Sequence, residues 1–379
     1  MPAVTCIEDL RELARRRVAK AIFDYVDRGS YSEQTLRANR QDFEALALRQ
    51  RVAVDVDRRS TRATMLGQEV TMPVALAPTG LTGLSWGDGE MLAARAAERF
   101  GVPFTLSTMS ICSIEDVRGF VTRPFWFQLY VMCDRGFAAS LIERAEAAGC
   151  SALVLTLDLQ MQGQRHHDIK NGLSIPPRLT MGNLLDALMK PSWVMNVLLS
   201  KRKTFGNLEG RIPNADSVTA LSQWVAGQFD PTLSWKDVEW VRSLWKRKLV
   251  LKGVLDAEDA RLAAAAGADA IIVSNHGGRQ LDGAVSSIRA LPEVVEAVAG
   301  KCEVWLDGGV RSGQDVLKAL ALGANATLIG RAFLYGLGAM GEKDVTRALE
   351  VIRGELDISM ALCGVRDVRE VSRSILRAA

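Results

Sequence analysis

Six cysteines, at positions 6, 112, 133, 150, 302 and 363, stand apart with no C-x-x-C pair. That spacing suggests neither a zinc site nor a disulfide framework, and it suits a reducing, cytoplasmic compartment. Charge of one sign is lacking as well. The 47 Lys and Arg nearly balance 44 Asp and Glu, leaving a net charge of +3, and no aromatic-basic pattern of an RNA-reading module occurs, so nucleic acid is not an expected partner. The stretch MPAVTCIEDLRELARRR has basic residues without an apolar run after them, so it reads as an amphipathic helix and not as a secretory signal. The uncharged run Pro191 to Ser200 is too short to span a bilayer. No Gly-x-Gly-x-x-Gly turn follows the first predicted strand, which argues against a nicotinamide-binding, doubly wound sheet.

What is present is an alternation. From Met72 onward, short apolar runs trade with longer helical patterns, as parallel strands joined by crossover helices do. The strand candidates are Pro73 to Ala77, Phe104 to Ser107, Phe125 to Leu129, Leu153 to Leu157, Leu249 to Lys252, Ala270 to Val273, Glu303 to Leu306 and Ala326 to Ile329. Helices follow, among them Gly87 to Phe100, Gly136 to Ala148, Ala257 to Ala266 and Gly313 to Leu322. Ala-Gly-Cys, Ala-Gly-Ala and Leu-Gly-Ala place a glycine where a helix needs a left-handed cap before the next strand. Eight such units predict an α/β fold, a closed (β/α)8 barrel, in one domain over 1–379. An N-terminal helical extension covers 1–71 and a long insertion covers 160–233.

In such a barrel the residues just past each strand's carboxyl end share one face. Here they are polar: Pro78, Thr79 and Gly80; Ser107; Gln128 and Tyr130; Thr156 and Asp158, with Arg165 beyond; Lys252; Ser274, His276 and Arg279; Asp307 and Arg311; Gly330 and Arg331. The sixth end, SNHGGRQLDG, sets a histidine and an arginine around paired glycines, a base beside an anion clamp. The last two ends, Asp307-Gly308-Gly309-Val310-Arg311 and Ile329-Gly330-Arg331, bring backbone amides and arginines to the quadrant where barrels bind phosphate. Taken singly, each has a plainer reading. His276 fits a hydrogen-bonded loop histidine, Arg279 a surface charge, Tyr25 core packing, Asp158 a helix cap, Lys252 a solvated charge, and the glycines tight turns.

Together these residues resemble the FMN-dependent α-hydroxy-acid oxidoreductases, the family of glycolate oxidase, mandelate dehydrogenase and the bacterial L-lactate dehydrogenases. The likeness runs through FDYVDRGS around Tyr25, APTG at 77–80, FTLSTMS at 104–110, WFQLY at 126–130, SWKDVEW at 234–240, KGVLDAEDA at 252–260, LDGGVRSG and IGRAFLYGL. It implies FMN across the barrel mouth, with Pro78, Thr79, Gly80 and Ser107 beside the ring, Gln128 and Thr156 on its polar edge, and Ser274 among the cofactor contacts. Lys252 would lie near the pyrimidine end, and Asp307, Gly308, Gly309, Arg311, Gly330 and Arg331 would hold the phosphate. It implies His276 as the base, Asp158 as its orienting carboxylate, and Tyr130 on the substrate hydroxyl. Arg165, Arg279 and Tyr25 would grip the substrate carboxylate. No metal is implied.

Three features bear on which member this is. Leu-Gln-Met-Gln-Gly after Asp158 replaces a proline-containing turn, so the pocket near Gln160 and Gln162 is left open. Gly80 stands where the oxidases commonly carry alanine, and Met109 where plant glycolate oxidases carry tryptophan; with FDPTLSWKDVEW these resemble the bacterial L-lactate dehydrogenases. Residues 178–203 mix aliphatics, Trp193 and the terminal Lys201-Arg202-Lys203, which suits peripheral attachment to anionic lipid; an active-site lid or subunit contact is the alternative. The expected protein is therefore an FMN-dependent L-lactate dehydrogenase passing electrons to a quinone or cytochrome, peripheral on the cytoplasmic face of the inner membrane. L-mandelate or glycolate as substrate, O2 as acceptor, and a non-catalytic FMN-binding module are the alternatives. The resemblance also implies a homotetramer.

Overall fold

The computed structural model describes residues 3–173, 180–208 and 227–377. Parts of the sequence expectations, at 174–179 and 209–226 of the insertion and 178–179 of the amphipathic segment, lie outside the described residues. Helices α1 (Ile7–Arg17), α2 (Lys20–Asp27) and α3 (Gln34–Ala45) open the chain. In α1 the apolar period buries Ile7, Leu10 and Ala14, while Glu8 and Asp9 begin and Arg15, Arg16 and Arg17 end the helix, each matching the sign of the helix dipole. A hairpin follows, β1 (Ala63–Met65) and β2 (Gln68–Val70), its Leu66-Gly67 turn at positive φ in both residues. Three-residue strands are too short for a period of two to register, so this hairpin had no sequence signal.

The remaining strands form one parallel sheet. These are β3 (Val74–Leu76), β4 (Thr105–Ser107), β5 (Trp126–Leu129), β6 (Ala152–Thr156), β7 (Lys248–Val254), β8 (Ala270–Val273), β9 (Glu303–Asp307) and β10 (Ala326–Ile329). Their order, β3-β10-β9-β8-β7-β6-β5-β4, is closed by a parallel bridge between Leu76 and Phe104, so the eight-stranded barrel expected from the alternation is what forms. Strand ends move by one or two residues. The largest change is in β7, which runs on past Lys252 through a register shift to Val254.

Trp126 and Trp305, both essentially fully buried, come from opposite strands and stack at 5.1 Å and 11° inside the barrel. Leu66 donates its amide to Glu303 at the start of β9 (2.9 Å), so the β1–β2 hairpin closes the amino end. The active face is thereby left at the carboxyl end. Helices α4 (Gly89–Phe100), α5 (Ile114–Phe120), α6 (Arg135–Ala147) and, after β7 to β10, Ala257–Ala265, Ser287–Val298, Gly313–Ala321 and Arg331–Met340 surround the sheet, and a short helix α7 (His166–Lys170) lies early in the insertion. Gly149, Gly267 and Gly323 take φ of +74°, +79° and +103° at the three predicted caps, where a side chain would be strained.

Candidate active site

A cavity of about 270 Å³ opens at the carboxyl end of the barrel. Its wall includes Tyr25, Pro78, Thr79, Gly80, Tyr130, Arg165, Lys252, His276, Arg279, Asp307, Gly308, Gly309, Arg311, Gly330 and Arg331. Ser107, Gln128, Thr156, Asp158 and Ser274 lie at the same strand ends but are not among its lining residues.

His276 follows β8 in a left-handed conformation, φ +58°, with Gly277 at +66° and Gly278 at +74°. A side chain is uncommon in that region, and the turn swings the imidazole toward β6, where Nδ1 meets Asp158 Oδ1 at 2.9 Å. Asp158 in turn leans on the β7 bulge. A Cβ on Gly253, itself at φ +103°, would lie 2.7 Å from the Asp158 side chain, so only glycine lets the two strands approach. Burial drives the imidazole below its ordinary pKa against the pull of Asp158, with Lys252 adding to the fall. Burial alone would raise Asp158, but the charge His276 carries when protonated, the charge of Lys252 and the His276 hydrogen bond outweigh it and hold the carboxyl low. The pair therefore rests as neutral imidazole and carboxylate.

Lys252, buried in β7 just before its bulge, reaches Asp307 Oδ2 at 3.0 Å and Ser274 Oγ at 2.9 Å, and Ser274 Oγ also donates to Asp307 at 3.1 Å. Burial opposes its charge, yet Asp307 and Asp158 together raise its pKa. The Asp307 carboxylate is thus committed to Lys252 and Ser274 and, as an acceptor only, offers a phosphate nothing.

The guanidinium of Arg279 lies 4.6 Å above the Tyr25 ring and that of Arg165 lies 5.8 Å from it. Burial, then the charge of Arg165, pushes Arg279 down to about 9, and Arg165 Nε is buried without a partner. Two desolvated cations on one ring form a site short of an anion. Asp168, 3.9 Å from Arg165 and not anticipated from the sequence, compensates only in part, since burial raises its own pKa. Burial also holds the Tyr130 hydroxyl far above its usual range, leaving it a neutral hydrogen-bonding group.

Arg331 is buried with its donors on Val26 O (2.9 Å), Gly277 O (2.8 Å) and Arg28 O (3.0 Å). Gly308 and Gly309 face the cavity at φ +104° and +90°. In the opposite wall Gln128 Oε1 accepts from Ser107 Oγ (3.0 Å) and Thr108 N (3.3 Å), which turns its Nε2 outward. That Nε2 and Thr156 Oγ1 are buried with no partner, each an omission costing about 1–3 kcal/mol unless a ligand answers it. Unanswered polar atoms on one side, a buried cation between, and glycine amides with arginines opposite fit a flat polar heterocycle carrying a phosphate.

Sequence reasoning missed the apolar rim of Leu159, Phe205 and Phe229. Phe229 bridges to Met132 and meets Tyr130 edge-on at 6.1 Å. Phe205 and Phe229 come from the insertion, with no strand-end position to mark them, and Leu159 is an apolar residue among the polar ones after β6. Gln280 was also missed; its Nε2 donates to Asp158 O (2.6 Å) and Met161 O (2.8 Å), closing the loop after β6.

Two described helices of the insertion pack beside the mouth. Helices α8 (Met181–Leu188) and α9 (Pro191–Leu199) are fixed by Trp193 Nε1 to Leu84 O (2.9 Å), Asn196 Oδ1 to Gly87 N (2.6 Å) and Asp186 to Lys20 N (2.6 Å). Arg202 pairs inward with Asp88 and Asp116 at 3.0 and 2.7 Å. Trp193 and Arg202, expected to face lipid, therefore hold the segment to the barrel. Leu184, Leu185, Leu188, Met189, Leu198 and Leu199 are exposed instead. Among the described residues no helix is long and apolar enough to cross a membrane.

The FMN-dependent dehydrogenase profile matches residues 14–378. The chain is 48% identical to an L-lactate dehydrogenase of Caulobacter sp. (strain K31) over 374 residues, covering 98% of each. It is 46% identical to that of Pseudomonas aeruginosa (strain LESB58) over 377 residues, again 98% of each. Among solved structures it resembles the monotopic membrane protein (S)-mandelate dehydrogenase, with a TM-score of 0.94, 37% identity and coverage of 99% of this chain and 100% of that one. It also resembles a mandelate oxidase, at 0.83 and 38% over 97% and 96%. With its eight-stranded barrel agreeing with these matches, the chain belongs to the FMN-dependent dehydrogenase family.

Proposed function

We propose that this enzyme oxidises L-lactate to pyruvate and passes the electrons to a quinone or cytochrome. The observation that carries the reading is the neutral His276 imidazole on the Asp158 carboxylate, set beside two buried arginines whose charge Asp168 offsets only in part. Arg279 and Arg165, stacked on Tyr25, grip the substrate carboxylate, whose charge restores their balance. Tyr130 bonds the substrate hydroxyl. His276 accepts a proton, and Asp158 stabilises the imidazolium that results. Bound FMN supplies the electron sink for the pair leaving the substrate Cα.

Gln128 and Thr156 meet the polar edge of the ring, with Pro78, Thr79, Gly80 and Ser107 alongside. Lys252 puts a cation near the charge that builds on reduction, and Asp307 and Ser274 hold that cation in place. The phosphate falls to Gly308, Gly309, Arg311, Gly330 and Arg331. The relatives named L-lactate dehydrogenase support the substrate. L-mandelate is the second reading, favoured by the apolar rim of Leu159, Phe205 and Phe229.

The α8–α9 segment attaches the protein to the cytoplasmic face of a membrane, which the outward aliphatics, exposed Lys201 and Lys203 and the monotopic neighbour support. The chain works as a homotetramer. Anaerobic mixing with L-lactate, D-lactate, L-mandelate and glycolate, followed by flavin absorbance before and after air, tests the chemistry. Fast bleaching by L-lactate with slow reoxidation is expected. Bleaching by L-mandelate alone moves the substrate, and rapid reoxidation makes the enzyme an oxidase.

A further inference from the structure

Behind the histidine turn lies a side chain that does not line the cavity and has no role assigned above. Asn39, on α3 and 1% exposed, donates from Nδ2 to Asn275 Oδ1 at 2.9 Å, and Asn275 Nδ2 donates back to Asn39 Oδ1 at 2.8 Å. The two carboxamides close on each other as a reciprocal pair, each using a donor and an acceptor. Three further valences are also taken. Asn39 Oδ1 accepts from Ser287 N (3.2 Å), Asn275 Nδ2 donates to Val285 O (3.1 Å), and Asn275 Oδ1 accepts from Gly278 N (3.1 Å).

That last bond spans the turn that carries His276. Three consecutive residues there hold positive φ, and one of them is not glycine, a conformation costing about 1–3 kcal/mol that persists only where its surroundings over-determine it. The amide pair is part of that constraint. We propose that Asn39 is a positioning residue for the oxidation: locked onto Asn275, it holds the His276–Gly278 turn so that the imidazole stays on Asp158 and faces the substrate. The proposal rests on reading His276 as the base. Asn39 Nδ2 also lies 3.6 Å from where a Cβ on Gly308 would stand, so FMN occupancy is measured in each variant and rates are read per bound FMN. What Asn39 sets against the Gly309 turn is its backbone carbonyl, which a Cβ on Gly309 would strike, and substitution leaves that carbonyl in place.

The test uses holoenzyme of Asn39→Ala and of the near-isosteric Asn39→Asp, which removes the donor to Asn275 and keeps the acceptor. Two quantities are read: the rate of anaerobic bleaching by L-lactate per bound FMN, and the imidazole N–H signal of His276 in histidine-labelled protein. The chain has three histidines, so His276→Ala assigns that signal. Both variants are expected to bind FMN within about threefold of the unaltered protein, to bleach on the order of 100-fold more slowly, and to lose the exchange-protected Nδ1 proton. Unchanged rate and signal in both variants overturn the proposal. So does a slower rate with the signal intact, which would place the loss elsewhere than His276, and so does failure of both variants to fold, which would make Asn39 a stability residue. If His276→Ala itself bleaches normally, the base assignment fails, whatever the Asn39 variants do.

Discussion

His276 shows how a single residue acquires a function from its surroundings. An exposed imidazole titrates near pH 6.5; here burial lowers that value, Asp158 opposes the fall and Lys252 adds to it. The sign has a kinetic consequence. A base with a depressed pKa stays unprotonated through neutrality, so kcat/KM for L-lactate is expected to be level there and to fall only below pH 6.5. Asp158→Asn removes the contribution that raises the imidazole, so the acid limb should move lower still while the rate drops on the order of 100-fold. His276→Ala should retain FMN and lose at least a comparable factor in bleaching. A pH profile whose acid limb lies above 6.5 would contradict the neutral resting state. His276, Arg279 and Lys252 could be picked out in sequence because each follows an apolar strand run. Asn39 could not, since an asparagine in a mostly polar helix carries no mark of the loop it meets.

At the scale of the element, α2 is held by its carboxyl end. The last carbonyls of a helix lack intrahelical partners, and here Arg279 donates to Tyr25 O and Arg28 O while Arg331 donates to Val26 O and Arg28 O. Cations at that end also suit the dipole. The caps fix Tyr25 over the cavity, so the N-terminal extension belongs to the site although it precedes the barrel. The α8–α9 segment shows the opposite economy, with polar anchors inward and aliphatics out; Leu188 is 68% and Leu199 74% exposed. Leu188→Glu with Leu199→Glu is expected to move the protein from sedimenting membranes to the soluble fraction, with bleaching per bound FMN within about twofold of the unaltered protein. A double variant that still sediments with membranes would return the segment to a lid or subunit contact. Sequence showed the amphipathic composition of this stretch but not its orientation, because only docking onto Leu84 and Gly87 decides which face is covered.

Across the whole molecule, the barrel separates stability from chemistry. The stack of Trp126 on Trp305 fills the interior, while the reacting groups gather at the other end. Trp305→Ala should cost about 3–5 kcal/mol, seen as a fall of about 5 °C in the melting temperature of the holoenzyme, with bleaching per bound FMN within about threefold. A variant that melts normally but bleaches slowly would show that the stack shapes the mouth as well. The apolar runs, the glycine caps and the polar strand ends determined, from sequence alone, an eightfold barrel, because strand period, helix period and left-handed turns are local properties of the chain. The commitment of Asp307 to Lys252, the inward turn of Trp193 and Arg202, the apolar rim and the Asn39–Asn275 pair were decided only by tertiary structure. Each joins residues far apart in the chain, and no local pattern specifies which distant group will satisfy a buried donor, acceptor or charge.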